Sequence, residues 1–210
     1  MNYRPIPVKT HIITEEDDIV QVIARYAMPL MEKGDIITVA ETVVAITQGR
    51  FIRPDYVKPS LTALLLSRFI AQDGSLSSPY AMELVMREEG KKRMVAAFLA
   101  GSLAHLLLRR SGVFYRLAGD QAALVDDVTG TMPPYDKYIV LGPKHPERVV
   151  ANIKKRLGVE AAIIDANDLG RSRVVAATPG VRKDVLEKIF ARNPAGNDNQ
   201  QTPLVILKKI

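Results

Sequence analysis

Carboxylate and carboxamide side chains follow two apolar runs in the C-terminal half of the sequence. One run is followed by Asp165, Asn167 and Asp168, and another by Asp126 and Asp127. Side chains at strand ends are positioned by rigid backbone and reach solvent, so functional sites collect there. Mg²⁺ prefers oxygen ligands, often one or two carboxylates together with substrate phosphates. We therefore predict a divalent-cation site built from the two acidic segments.

Residues that could bind an anion lie near these carboxylates in the sequence. Gly170 would let the backbone approach a phosphate closely, and Arg50 and Arg171 can each offer paired hydrogen bonds to phosphate or carboxylate oxygens. Plainer interpretations stay open, because an Asp-Asp pair suits a turn or a helix cap, and Asp165–Gly170 suits a surface loop. The sequence has no EF-hand or Walker spacing, no G-x-S-x-G motif, and no partner pattern around its three histidines.

The composition is that of an ordinary globular protein, with 47 % hydrophobic and 25 % charged residues in 210. The absence of cysteine excludes disulfides and thiolate chemistry. The first residues contain no apolar segment typical of a secretory signal, so we expect a cytoplasmic protein. The net charge of +6 is scattered and aromatic residues make up only 6 %. This pattern favours anionic small molecules over nucleic acid as partners.

One apolar segment, Met94–Leu108, resembles a membrane span but has only 15 residues. A spanning helix needs about 20, so we expect no membrane partner. A helix that is apolar nearly all round is typical of a protein core or a subunit interface.

The order of predicted elements favours an α+β or irregular α/β fold with a mixed β-sheet, packed helices and a helical insertion. We predict a single domain over 1–210, with a helical block at about 59–110. Extended or strand segments are predicted at 5–14, 36–40, 112–119, 122–127, 137–143, 159–164 and 202–210. Helices are predicted at 15–31, 60–72, 81–93, 94–108, 145–158 and 180–193. A loop is predicted to begin at Glu41-Thr42, where the strand "IITVA" ends.

Several segments resemble the coenzyme F420-0:L-glutamate ligase family, the gamma-glutamyl ligases of deazaflavin cofactor synthesis. "GDIITVAETVVAITQGR" (Gly34–Arg50) is similar to the family's strand, Ser-Thr pair, lysine and "EGR". "IIDANDLGR" is similar to its Asp-Thr-x-Gly-Arg loop, and "GNDNQQTPLVIL" to its C-terminal loop and strand. An "AG" before an acidic loop, a "PP" turn and a "GP" before a helix follow the family's order. The likeness fails in the helical block.

This resemblance implies an amide ligase that uses GTP, or another nucleotide, with Mg²⁺ or Mn²⁺. The γ-phosphate would activate a small carboxylate substrate as an acyl phosphate, which the amine of an amino acid then displaces. The resemblance also implies a homodimer.

The chain departs from the family at the phosphate-binding segment. The Ser-Thr pair corresponds to Glu41 and Thr42, and the family's lysine falls on Ile46. Loss of a cation facing the phosphates removes charge stabilisation for phosphoryl transfer. Lys9 or Arg50 are candidates to replace it, and Thr42, Gln48 and Arg50 are expected to line the phosphate or substrate side.

Only some of the family's metal ligands have a matching residue in this sequence. Asp165 matches a family metal ligand, with Asn167 beside it and Asp168 a weaker candidate. A strict register places Gln121 at the family's other metal aspartate, one residue after Asp120, whereas a short gap selects Asp126 or Asp127. Two other functions therefore stay open: a non-catalytic nucleotide- or metal-binding protein, and an interaction protein that uses the apolar helix around Leu99.

Overall fold

The computed structural model describes residues 3–70, 74–110, 112–128, 134–166, 170, 172–196 and 201–210. Asn167, Asp168 and Arg171 lie outside the described residues. The contacts divide the chain into two compact units, Met1–Gly49 with Pro143–Ile210, and Arg50–Gly142. The single domain over the whole chain stays a prediction.

The elements of the described residues are, in chain order, β1 (Tyr3–Val8), α1 (Ile19–Tyr26), β2 (Ile36–Ala40), α2 (Glu41–Thr47), β3 (Phe51–Ile52), α3 (Leu61–Ser67), α4 (Pro79–Glu89), α5 (Lys91–Leu108), α6 (Val113–Ala118), α7 (Asp120–Leu124), β4 (Ile139–Val140), α8 (Pro146–Leu157), β5 (Glu160–Ala166), β6 (Ser172–Ala177), α9 (Lys183–Phe190) and β7 (Leu204–Lys209). Short 3₁₀ turns lie at Met28–Leu30, Pro54–Tyr56 and Ser75–Ser77.

The first unit is built on a five-stranded mixed sheet in the order β1-β7-β2-β5-β6. β2 and β5 pair in parallel, and the other neighbouring strands pair antiparallel. The predicted α+β class with a mixed sheet is therefore confirmed. β6 is a strand that the sequence analysis missed.

The sheet is buried on both faces, as the continuous apolar sequence of β2 predicts. Ile37 and Val39 of β2 belong to a cluster with residues of α1, α2 and α8, whereas Ile36 belongs to a cluster with residues of α9. Thr38, the polar residue of the strand, donates its hydroxyl hydrogen to the Val205 carbonyl. Burial of β2 therefore leaves its polar groups satisfied.

Asp35 fixes the entry into β2. Its carboxylate accepts hydrogen bonds from the N–H groups of Glu32 and Lys209, at 2.8 and 3.0 Å, and Lys208 Nζ lies 3.2 Å away. Burial alone would raise the pKa of Asp35, but the two backbone hydrogen bonds and the Lys208 ammonium outweigh it and hold the pKa below its ordinary value. The turn before β2 is thereby tied to β7.

The second unit is mainly helical, around a core of residues from α3, α4, α5 and α7. β3 and β4 form a two-stranded antiparallel pair. The predicted helical block is confirmed for α3, α4 and α5, but the strands predicted at 112–119 and 122–127 are wrong, because these residues form α6 and α7 up to Leu124. A short apolar run cannot show whether its residues follow the two-residue period of a strand or the 3.6-residue period of a helix.

The structure explains why the second residue of the "AG" motif is glycine. Gly119 precedes α7 with a φ of +111°, and a Cβ atom there would lie 2.1 Å from the Glu89 carboxylate. That carboxylate accepts a hydrogen bond from the Gln121 N–H. Glycine therefore leaves room for Glu89 to cap α7.

Among the described residues, no helix is long and apolar enough to cross a membrane. Half of α5 is nonetheless open to solvent, with exposed leucines at 99, 103, 106, 107 and 108. The chain by itself therefore leaves the C-terminal half of α5 uncovered, and burial of this helix at a subunit interface stays a prediction.

We predict that Asp35→Asn destabilises the protein at pH 7 by about 1–3 kcal/mol, because hydrogen bonds to a charged acceptor are lost. Since the pKa of Asp35 is lowered on folding, its contribution is present above the ordinary pKa and disappears as the pH falls through the folded value. Urea unfolding from pH 7 to pH 3 measures this. The effect should shrink in acid, whereas exposed Asp184→Asn should have little effect throughout. Equal effects of the two substitutions at pH 7 would contradict the role of Asp35.

Candidate functional site

The strand register of the first unit brings three predicted site residues to one edge of the sheet. Val8, Leu204, Val39 and Ile163 form one row across β1, β7, β2 and β5. β1, β2 and β5 all run toward the same edge. Beyond this row lie Lys9, Thr42 and Asp165, the predicted residues from the ends of these strands. We name this side of the sheet the carboxyl edge.

Asp165 is the best-placed carboxylate of the carboxyl edge. It is half-buried in the last part of β5 and lies opposite Arg173 of β6. Burial raises the pKa of Asp165, and the Arg173 charge only partly opposes this effect. The folded protein therefore disfavours the ionised carboxyl group, which a bound cation would reverse. A carboxyl group whose pKa is raised by burial at a strand end is a candidate for a functional residue.

The sequence analysis treated Glu41 as a departure, but the structure makes it a second carboxylate of the carboxyl edge. Ala40 pairs with Ile164 in the parallel register of β2 and β5, so Glu41 and Asp165 each come directly after this pair, Glu41 as the first residue of α2 and Asp165 inside β5. Glu41 is 4 % exposed, and its Oε2 accepts a hydrogen bond from the Thr42 hydroxyl at 3.2 Å. The signal available in the sequence was an acidic residue directly after the mainly apolar, β-branched strand β2.

The segment after β2 differs from its prediction. Glu41 and Thr42 begin α2 and not a loop, because the apolar run that follows buries Val44, Ala45 and Ile46 as helix. Ile46 is 2 % exposed, so the position that resembles the family's lysine faces the interior. Lys9, in contrast, is exposed just after β1.

Gln48 is joined to the backbone of another loop. Its Nε2 donates to the Lys144 carbonyl at 3.0 Å, and its Oε1 accepts from the Lys144 N–H at 2.7 Å. This pair of hydrogen bonds links the end of α2 to the segment before α8. The substrate-binding role of Gln48 stays a prediction.

Arg50 is the centre of a hydrogen-bond network within the second unit. It is 8 % exposed. Its Nε donates to the Gly142 carbonyl, and one terminal nitrogen lies 3.0 Å from both Glu88 Oε2 and Gln121 Oε1. These contacts join the start of β3 to α4, to α7 and to the end of the unit. The guanidinium is therefore an internal support here, and its predicted contact with substrate stays a prediction.

The remaining predicted aspartates also belong to the second unit. Asp126 is half-buried and exchanges two backbone hydrogen bonds with Val140, Asp127 is half-buried, and Asp120 is exposed at the first residue of α7. Gln121, at the position matched to a family metal ligand, uses its side-chain oxygen for Arg50. That Asp126 or Asp127 binds the same cation as Asp165 stays a prediction.

The described ranges contain no group of three or more His, Cys, Asp or Glu side chains placed to hold a metal ion. The carboxyl edge instead offers two carboxylates and a hydroxyl, from Asp165, Glu41 and Thr42. Hard cations such as Mg²⁺ accept one or two protein carboxylates when substrate phosphates and water supply the other ligands. The oxygen donors of this edge therefore fit a metal–nucleotide complex.

Comparison with known proteins identifies the family of the chain. A family model described as F420-0:Gamma-glutamyl ligase matches residues 7–181. The coenzyme F420:L-glutamate ligase of Methanopyrus kandleri is 27 % identical over 176 residues, which are 81 % of this chain and 61 % of that protein. The protein of the same name from Methanothermobacter thermautotrophicus is 28 % identical over 139 residues, 66 % of this chain and 49 % of its own length. The chain thus spans 49–61 % of the length of these relatives.

We predict that Arg50→Lys lowers stability by about 2–3 kcal/mol, because lysine cannot reproduce the forked contacts and leaves buried acceptors unsatisfied. Arg53→Lys is the matched control, since Arg53 is exposed and pairs with exposed Asp55. Thermal and urea unfolding of the two variants measure the difference. Wild-type stability in Arg50→Lys would show that the network does not support the unit.

Proposed function

Because the chain belongs to the F420-0:gamma-glutamyl ligase family, we propose that it is a ligase that joins a carboxylate to an amino acid through an amide bond. The proposed cosubstrate is a nucleoside triphosphate, with GTP first, and the proposed cation is Mg²⁺ or Mn²⁺. The name that both relatives share suggests L-glutamate as the amino acid and an F420-type carboxylate as the acceptor. A cytoplasmic homodimer is part of the same proposal.

The observation that supports the proposal best is the parallel register of β2 and β5. Glu41 and Asp165 each come directly after the paired residues Ala40 and Ile164, and Thr42 follows Glu41 at the start of α2. Strand ends of an α/β sheet are where ligands bind in many enzymes. In this chain the same edge also has Lys9, a cation for phosphate oxygens.

Each side chain has a proposed role in the reaction. Asp165 and Glu41 would hold the cation, which supplies charge neutralisation at the phosphates. The Thr42 hydroxyl would rotate from Glu41 Oε2 to donate to a phosphate oxygen, and Lys9 would bind the γ-phosphate. A carboxylate oxygen attacks the γ-phosphorus and the nucleoside diphosphate leaves. The amine then attacks the acyl carbon of the acyl phosphate, loses a proton, and inorganic phosphate leaves.

A second function is supported by the position of Ile46. Its side chain is buried where the family resemblance expects a lysine, and Arg50 is held by contacts inside its own unit. A protein that lost this cation could bind a metal–nucleotide complex without transferring phosphate. The alternative is therefore a nucleotide-binding protein that has lost its catalytic activity.

We predict that Asp165→Asn abolishes metal-dependent nucleotide binding without lowering the melting temperature. Burial raises the pKa of Asp165, so any stabilisation is present below its ordinary pKa and is lost as the pH rises through the folded value. At pH 7 the charge is a net cost that asparagine removes. GTP at 100 times its Kd should raise the wild-type Tm by about 5–10 °C.

The measurement is a thermal-shift titration with GTP, ATP and GDP, each with Mg²⁺, with Mn²⁺ and without metal. Asp184→Asn is the matched control, because this exposed aspartate pairs with Arg182 and follows β6, which runs away from the carboxyl edge. Asp165→Asn should give no metal-dependent shift, whereas Asp184→Asn should match the wild type. A full shift in Asp165→Asn would remove Asp165 from the site.

We predict that Lys9→Gln reduces phosphate release from GTP in the presence of a carboxylate and L-glutamate by about 10²-fold, because a cation on the γ-phosphate stabilises transition-state charge. Lys33→Gln removes an equally exposed charge and should leave the rate unchanged. Phosphate release and product mass are the measurements. Binding without turnover in the wild type would select the non-catalytic alternative, and equal rates in both variants would exclude Lys9.

A further inference from the structure

Lys9 lies in a stretch of chain that no helix or strand supports. β1 ends at Val8 and α1 begins at Ile19, and the residues between them form only turns and irregular backbone. The proposed role of Lys9 requires its ammonium group at a fixed place, because charge stabilisation of a transition state depends on preorganised groups. Contacts outside regular secondary structure must therefore hold this part of the chain.

The backbone next to Lys9 is held at Thr10. The Thr10 N–H donates to the Gln201 carbonyl at 3.0 Å, and the Thr10 hydroxyl donates to the His11 carbonyl at 2.7 Å. Thr10 is 5 % exposed, so water competes little for these hydrogen bonds. Since Lys9, Thr10 and His11 are consecutive, whatever holds the His11 side chain also limits the movement of Lys9.

His11 is held through both nitrogens of its ring. Nε2 lies 2.9 Å from Asp17 Oδ1, and Nδ1 lies 3.0 Å from the Tyr26 hydroxyl oxygen. A carboxylate only accepts hydrogen bonds, so Nε2 carries the hydrogen toward Asp17, and Nδ1 of the neutral ring accepts from the Tyr26 hydroxyl. We name these three side chains, His11, Asp17 and Tyr26, the His11 clip. The sequence showed no partner pattern for His11, because its partners are 6 and 15 residues away.

Both partners of His11 are themselves anchored. Asp17 Oδ2 accepts hydrogen bonds from the Thr14 N–H at 2.8 Å and from the Thr14 hydroxyl at 3.2 Å. Burial alone would raise the pKa of Asp17, but the hydrogen bonds from Thr14 and His11 outweigh it and hold the pKa below its ordinary value. Tyr26 packs against the core of the first unit, and the Arg25 guanidinium lies 5.3 Å from the centre of its ring. The His11 clip therefore ties the irregular stretch to α1.

The His11 clip acts locally and adds little to the stability of the unit. The side chains of His11 and Asp17 are 39 % and 24 % exposed, and polar pairs at such exposure contribute little to folding. Val8 and Ile13, which flank the exposed part of the stretch, are already buried in the core cluster. The effect of the clip therefore falls on the residues between these two anchors, and Lys9 is the first of them.

We propose that His11 is a positioning residue, which holds Lys9 in place at the carboxyl edge by joining its stretch of chain to α1. This inference rests on the proposed function, in which Lys9 binds the γ-phosphate. The imidazole of His11 touches no phosphate and exchanges no proton with a substrate, and it acts only through the place that it gives to Lys9. Such an effect is measurable, because a displacement of about 1 Å can reduce a rate about 10²-fold.

Hydrogen exchange at the Thr10 amide tests whether the clip holds the stretch, and it needs no nucleotide. In His11→Ala the Thr10 N–H should exchange about tenfold faster than in the wild type, because two hydrogen bonds that hold its stretch are lost. His105→Ala is the matched control, since His105 is exposed on α5 of the second unit, and it should leave the exchange unchanged. NMR-detected exchange measures this single amide.

A double-mutant cycle with Lys9→Gln tests whether His11 acts through Lys9. His11→Ala should lower kcat for phosphate release from GTP about tenfold and leave the KM of the carboxylate unchanged, because the lost interaction is made in the transition state. In the Lys9→Gln background the same substitution should have no further effect, since the residue that it positions is gone. His11→Gln should recover most of the rate, because its amide can donate to Asp17 and accept from Tyr26 as the ring does.

Three results would overturn the proposal. These are unchanged Thr10 exchange in His11→Ala, an equal loss of rate on this substitution with Lys9 and with Lys9→Gln, and failure of His11→Gln to recover the rate. The last result would show that the ring acts by more than its two hydrogen bonds. A wild type without turnover would contradict the proposed ligase activity, and the Thr10 exchange would then decide by itself whether His11 holds the stretch that contains Lys9.

Discussion

Burial of β2 on both faces is the constraint on which the first unit depends. A strand covered on both sides must pair with strands on both edges, and β7 and β5 supply these pairs. The parallel pairing with β5 then requires the chain to cross back over the sheet, which α8 does immediately before β5. The same pairing brings the ends of β2 and β5 to one edge. The candidate site therefore follows from the strand pairing that satisfies the backbone hydrogen bonds of β2 on both of its edges.

The sequence predicted those parts of the fold where the pattern is long or punctuated. The apolar run of β2 and the helix α8, which has proline at its start and glycine after its end, were both confirmed. Short apolar runs failed, because four to six residues cannot distinguish a strand from a buried helix. α6 and α7 depend on contacts that are distant in sequence, such as the Glu89 carboxylate that caps α7.

The site shows the same division between local and tertiary information. The sequence analysis put Thr42 and Asp165 at strand ends, and the structure has both at the carboxyl edge. Lys9, predicted inside an extended segment, lies at the same edge because β1 ends at Val8. Their roles in a site stay predictions. The contacts of Gln48 and Arg50 were not predictable, since their partners, Lys144, Glu88 and Gln121, are far along the chain. A polar side chain beside a candidate site is as able to hold the scaffold as to bind substrate. The positions of its hydrogen-bond partners in the folded chain show which of these two roles it has.

The two units also separate two kinds of surface. Residues that could hold a phosphate or a cation lie at the sheet edge of the first unit, whereas the exposed leucines lie on α5 of the second. One side of α5 packs in the core of its unit, through Met94 and Ala97. The other side carries leucines that the chain by itself leaves open to solvent. The nearly uniform apolar pattern of α5, which resembled a short membrane span, therefore covers a packed side and an exposed side of one helix.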